Sequence, residues 1–157
     1  MLSCTFAGHR KIYAPEFKVK LRSTLEGLLT VDDSFVFYNG GRGDFDRIAA
    51  LEIASVKREH PRLSIRHYLV LPYLCSDDEL RGYVPYDFDE IILPSALDNI
   101  HYKAAIKKRN EWMVDQSDYL IALVLKKSGG AYATLSYARA MCKSIILLSE
   151  FSDDSVN

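Results

Sequence analysis

The sequence predicts an α/β fold built on a mainly parallel sheet with helices on both faces. Three observations lead there. Short apolar segments alternate along the 157 residues with segments whose apolar positions recur at helical spacing. Several of the short segments are apolar throughout, the pattern of strands buried on both faces of a parallel sheet. Two glycine-rich turns, Tyr38 to Asp44 and Gly129 to Thr134, each join a predicted strand to a predicted helix. The hydrophobic fraction of 48% and the length suit one domain over residues 1–150, with 151–157 as a polar, frayed tail.

The elements follow in order. Leu2 to Phe6 is short and apolar and ends at Ala7-Gly8-His9-Arg10, giving the first strand. Ala14-Pro15-Glu16 has the form of a helix start, with Pro in the first turn beside an acid. Phe17, Leu21, Leu25 and Leu28 continue it at helical spacing, and Gly27 weakens its last turn. Ser34 to Tyr38 is a second strand, rich in aromatics. Asp44 is placed to cap the next helix, whose stripe is Phe45, Ile48, Ala49, Ile53 and Val56 and whose end is His60-Pro61.

Leu63 to Leu71 reads as a third strand, buried on both faces and stopped by Pro72. Residues 72–88 read as a short crossover helix starting near Ser76, followed by a lid-like segment or an ordinary surface connection. Asp89 to Leu93 is a fourth strand. A helix from about Asn99 to Gln116, capped by Asp98 or Asn99, follows it. Asp118 to Leu125 is the fifth and most apolar strand. After the second glycine turn, a helix sets Tyr132, Leu135, Ala138, Met141 and Cys142 on one side, and Ser144 to Leu148 is a sixth strand.

Composition narrows the function. Lys and Arg number 20 against 21 Asp and Glu, so no broad basic field exists, which argues against a dedicated nucleic-acid binder. The basic run Lys103 to Arg109 reads first as a solvated helix face and second as a phosphate track. Cys4, Cys75 and Cys142 are far apart and odd in number, as free thiols in a reducing cytoplasm are. The four histidines lack metal-ligand spacing, so no metal and no cofactor is expected. No apolar run approaches a membrane span.

In parallel α/β sheets, ligands sit beyond the carboxyl ends of the strands where strand order reverses. Three candidate loops lie at such ends, and they converge on one cleft if strands one, two and five are neighbours or near-neighbours: Gly8-His9-Arg10, Asn39 to Asp44, and Lys126 to Ala131. The last is the better phosphate seat. Lys126 and Lys127 precede it, Gly129 and Gly130 allow close backbone approach, Thr134 offers a hydroxyl, and no carboxylate lies within it. In the first turn Gly40, Gly41 and Gly43 could cradle phosphate with Arg42 as a clamp. Asp44 and Asp46 bring negative charge there, suited to capping or to ribose hydroxyls. Arg10 offers a planar fork for an anion, and His9 a hydrogen bond or a proton. Glu111 and Asp115 lie four apart on one helix face, an acid pair that with Asp46 could stabilise an oxocarbenium ion beside a sugar.

Taken together, Thr5 to Arg10, Gly40 to Asp46, Arg109 to Asp118 and Gly129 to Thr134 resemble the SLOG superfamily, especially its YpsA-like branch, over about residues 3 to 149. The resemblance implies a three-layer Rossmann-like sandwich with about five to six mainly parallel strands. It also implies a nucleotide or nucleotide-derived, ADP-ribose-type ligand. That superfamily includes the Lonely Guy phosphoribohydrolases, the DNA-processing protein A and nucleotide-sensing domains. By that likeness Gly129, Gly130 and Thr134 hold phosphate and Arg109 stands near the ligand. Ser128 and Tyr137 replace the Pro and the catalytic Glu of the hydrolases.

Three functions are therefore expected, in this order. The first is binding of a small nucleotide-like ligand, with aromatic-rich helix faces available for a homodimer. The second is hydrolysis of an N-glycosidic bond through Glu111, Asp115 or Asp46. The third is nucleic-acid binding.

Overall fold

The computed structural model describes residues 1–12 and 16–149. The Ala14-Pro15 start expected for the first helix and the expected tail after Glu150 lie outside the described residues. Within them the chain runs β1 (Leu2–Gly8), α1 (Glu16–Leu28), β2 (Ser34–Asn39), α2 (Asp44–Glu59), β3 (Ser64–Val70), α3 (Asp77–Arg81), β4 (Glu90–Ile92), α4 (Tyr102–Asp115), β5 (Tyr119–Leu123), α5 (Gly129–Ala140) and β6 (Ser144–Leu147). All strand pairs are parallel and the order across the sheet is β4-β3-β2-β1-β5-β6. The fold is thus the expected Rossmann-like three-layer sandwich, with six strands.

The sequence order explains the two layers of helix. From β1 to β4 the chain steps one way across the sheet, and right-handed crossovers keep α1 and α2 on one face. From β4 it returns past β1 to β5, which puts α4 and α5 on the other face. The first face is the larger core: Leu21 and Leu25 of α1 and Phe45, Ala49 and Ile53 of α2 close over Phe6, Phe35 and Phe37. Phe37 stacks on both Phe6 and Phe35, each at 6.2 Å between centroids. The second face packs Val114, Leu135 and Ala138 on Leu120 and Ala122.

Several boundaries differ from the sequence reading for local reasons. β3 is not buried on both faces: Ser64 and Arg66 are exposed while Ile65 and His67 are buried, because α4 and α5 lie over β1, β5 and β6. His101, not Asp98 or Asn99, caps α4, its ring nitrogen accepting from the Lys103 N–H. Asn99 instead adopts a left-handed turn conformation. Helix α5 ends at Ala140, so Met141 and Cys142 leave the apolar stripe and are exposed. Residues 72–88 contain α3, capped by Ser76 through the Glu79 N–H, and a 3-10 turn over Val84–Tyr86.

Candidate functional site

The reversal of strand order falls between β1 and β5, and a crevice of about 750 Å³ opens there beyond their carboxyl ends. Gly8, His9 and Arg10 line it from β1, Arg42 and Asp46 from the start of α2, Arg109 from α4, and Lys126, Gly129, Gly130 and Thr134 from the β5–α5 connection. Lys11, Ile106 and Asn110 line it as well. Of these three, Lys11 was legible as a neighbour of Arg10. Ile106 and Asn110 face the crevice only because α4 crosses back over the sheet, which no local signal announces.

The amino end of α5 is the open part of this crevice. Ser128 makes no side-chain cap, so the first amides of the helix carry their orphan donors and dipole end outward. Gly129 has a φ of 87°, a left-handed conformation that suits glycine. Among the described residues, methyl groups built on Gly129 or Gly130 would meet nothing within 4 Å, so the backbone there is bare toward the crevice. Thr134 does not present its hydroxyl proton there; it donates to the Gly130 carbonyl at 3.0 Å.

The first glycine turn is closed. The Gly41 N–H donates to Asn39 Oδ1 at 2.6 Å and the Arg42 N–H to Asp46 Oδ2 at 3.2 Å, so the amides that could cradle an anion are taken. Asn39 Nδ2 also donates to the Asp46 carbonyl, knitting the turn shut. Gly40 lies against the Arg109 guanidinium, Gly41 against Tyr83 and Leu69, and Gly43 against the Arg10 backbone. Gly40, Gly41 and Gly43 therefore pack the turn and do not line the crevice. Asp44 does not cap its helix either. Gly43 is the cap residue, and Asp44 Oδ2 accepts the Ile12 N–H at 2.9 Å while the Asp44 N–H donates to the Arg10 carbonyl at 2.8 Å. Asp44 ties down the loop after β1, and so fixes the backbone that carries Arg10.

The cations differ in what holds them. Arg109 is 2% exposed and donates through Nη1 to the Gly40 and Val70 carbonyls at 3.1 and 2.8 Å. Arg42 donates to the Tyr73 hydroxyl at 3.0 Å and lies over its ring. Among the described residues from 72 to 88 none lines the crevice; the segment bears on it from behind, through Tyr73 against Arg42 and Tyr83 against Gly41. His9 Nε2 accepts the Leu125 N–H at 2.7 Å, which leaves the ring proton on Nδ1. Burial and the nearby Lys126 hold the His9 pKa below its ordinary value, so the ring is neutral at pH 7.

Asp46 is the one carboxylate among the described residues that line the crevice. Burial pushes its pKa up to about 6, against the opposing pull of Arg109 and of the Arg42 N–H. The acid pair expected for sugar chemistry is not gathered there. Asp115 accepts from the Tyr137 hydroxyl at 2.8 Å, and Glu111 pairs with Lys108 at 3.3 Å and borders an adjoining hollow between α4 and α5 rather than this crevice. Elsewhere Glu26, Glu59 and His60 bring ligand atoms within 4.8 Å of one another, but Arg22 pairs with both carboxylates and supplies the positive charge a metal would bring.

No protein-family model matches the chain. The chain is 27% identical over 140 residues to the uncharacterised SPbeta prophage-derived protein YoqJ of Bacillus subtilis (strain 168), covering 79% of this chain and 81% of that protein. Among solved structures it is similar to DNA processing protein A of Helicobacter pylori, described for its single-stranded DNA binding mode, with a TM-score of 0.66 at 16% identity over 97% of this chain. It is likewise similar to DNA processing protein A of Streptococcus pneumoniae, with a TM-score of 0.66 at 12% identity over 93% of this chain. The chain spans 67% of the first protein and 50% of the second. Among the described residues no helix is long and apolar enough to cross a membrane.

These likenesses establish a fold shared with DNA processing protein A, and they correct one expectation. Near-neutral net charge was read as an argument against a nucleic-acid partner, yet a solved protein of this fold binds single-stranded DNA. The physical reason is that net charge averages over the whole surface. Here Arg10, Lys11, Arg42, Arg109 and Lys126 are concentrated around one crevice that holds a single carboxylate.

Proposed function

We propose that this crevice binds the phosphate backbone of single-stranded nucleic acid, with the amino end of α5 as its phosphate seat. The observation that carries the reading is the bare Gly129–Gly130 backbone, uncapped by Ser128 and open into a basic crevice. The fold shared with the Helicobacter DNA processing protein A, whose binding mode for single-stranded DNA is described, supports the choice of ligand class. The YpsA-like branch remains the finer family assignment within this proposal, suggested by the blocks Arg109 to Asp118 and Gly129 to Thr134.

In this reading Gly129 and Gly130 donate backbone N–H groups to a phosphate. Lys126, Arg10 and Lys11 supply mobile positive charge at the rim, and buried Arg109 supplies fixed positive charge at the floor. His9, neutral, offers its Nδ1 proton as a hydrogen-bond donor. A second reading is favoured by one observation: a crevice of about 750 Å³ falls in the range that holds a single nucleotide-sized ligand. An ADP-ribose-type molecule would then use the same phosphate seat. The hydrolase reading has less support, since Asp46 is the one member of its acid set in the crevice.

Fluorescence anisotropy with a labelled oligothymidylate separates these readings. Nucleic-acid binding is expected to weaken steeply with added salt, and Lys126→Ala should reduce the log–log slope by about 0.7, one phosphate contact on a single strand. A probe that does not bind at low salt, while ADP-ribose raises the thermal midpoint, would replace the first reading by the second.

A further inference from the structure

The basic run of α4 divides in the structure. Arg109 turns inward to the floor of the crevice, and Lys108 is engaged with Glu111. Lys103 and Lys107, both exposed, line a second hollow of about 390 Å³ in the groove between α4 and α5. The second hollow is continuous with the first: Arg10, Asn110, Gly129 and Gly130 border both. The glycine turn is thus a saddle with basic side chains on either side of it.

The spacing beyond the saddle is regular. Lys103 and Lys107 are four residues apart and share a helix face, about 6 Å apart along the axis. That step is comparable to the separation of successive phosphates in an extended strand. Glu111 is the carboxylate of the groove, and Lys108 at 3.3 Å compensates it. A mononucleotide seated at Gly129–Gly130 has no charge to place at Lys103 and Lys107, whereas a polyanion does.

We infer that the α4–α5 groove is a second segment of the binding track, in which a single strand crosses the Gly129–Gly130 saddle and sets successive phosphates against Lys103 and Lys107. The inference rests on the nucleic-acid reading above and gives that site a length of several nucleotides.

Labelled oligothymidylates of about four and about twelve nucleotides test it on the full chain and on a Lys103→Ala/Lys107→Ala variant. Both lysines are exposed, so the variant should keep its circular dichroism and thermal midpoint. The unaltered chain is expected to bind the longer probe about tenfold or more tighter than the shorter one. The double variant should lose most of that advantage, with its salt slope on the longer probe falling by about 1.4, while its affinity for the shorter probe stays within about twofold. An unchanged slope in the double variant overturns the track. If Lys126→Ala still weakens both probes, the crevice reading survives that result. If the unaltered chain binds neither probe, both readings fall together.

Discussion

Gly8, which lines the crevice, is also held small by a neighbour. A methyl group at this position would run into the ring of Phe45, itself buried at 1% exposure where α2 leans on the end of β1. Gly8→Ala is expected to cost about 1–3 kcal/mol by forcing that ring aside, read as a lower denaturant midpoint at unchanged m-value. Two other groups, half-buried Asp46 and buried His67, set opposing pH dependences. The pKa of Asp46 is raised from 3.8 to about 6 by burial, so the folded chain binds more protons than the unfolded chain between those values and loses stability as pH rises through them. The pKa of His67 is lowered from 6.5 to about 3, chiefly by burial and by the nearby Lys57 cation. Its contribution is complete above 6.5 and is lost as pH falls toward 3. The two partly cancel between about pH 4 and 6. Asp46→Asn should therefore expose a steeper loss of stability on acidification, and His67→Leu a shallower one, in denaturation curves taken across that range.

At the scale of elements, the two glycine turns look alike in sequence and do different work. Both are runs of glycine between a strand and a helix. In the first, Asn39 and Asp46 reach back and occupy the amides of Gly41 and Arg42. In the second, Ser128 makes no side-chain cap, and among the described residues nothing lies within 4 Å of a Cβ added at Gly129 or Gly130. The acids beside the first turn were legible as a conflict with phosphate. Their actual partners were not, because Asp44 bonds Ile12 across the loop and only the assembled fold brings those atoms together. Thr134 was legible as a first-turn hydroxyl, but the i–4 carbonyl of Gly130 competes for its proton. The open turn makes a prediction with separable readouts. Gly130 can accept a side chain without a clash, so Gly130→Ala should raise stability by about 0.5–1 kcal/mol through helix propensity. Gly130→Asp should fold as well and lower affinity for an oligothymidylate by about tenfold or more by placing a carboxylate at the seat. Equal affinity for the Asp variant and the unaltered chain would remove α5 from the site.

At the scale of the molecule, the crevice is a consequence of topology. The alternation of strands and helices in the sequence is enough to predict a parallel sheet, and the wholly apolar segments are enough to predict strands covered on both faces. The adjacency of β1 and β5 is not written locally. It arises because the chain steps outward through β2, β3 and β4 and returns under α4 to pair β5 with β1, bringing Ala7 opposite Ala122 and Gly8 opposite Leu123. That return brings Arg10, Arg109 and Gly129, more than a hundred residues apart at the extremes, to one place. It also explains why whole-chain charge misleads: the cations converge through folding, not through sequence clustering. The most direct test is a titration of nitrogen-15-labelled protein with oligothymidylate, followed by amide resonance shifts. The account predicts that Gly129, Gly130 and Ala131 shift first and furthest, with Arg10 and Lys126 close behind. Shifts confined to the opposite end of the sheet, around Glu26 and His60, with the start of α5 unmoved, would contradict it.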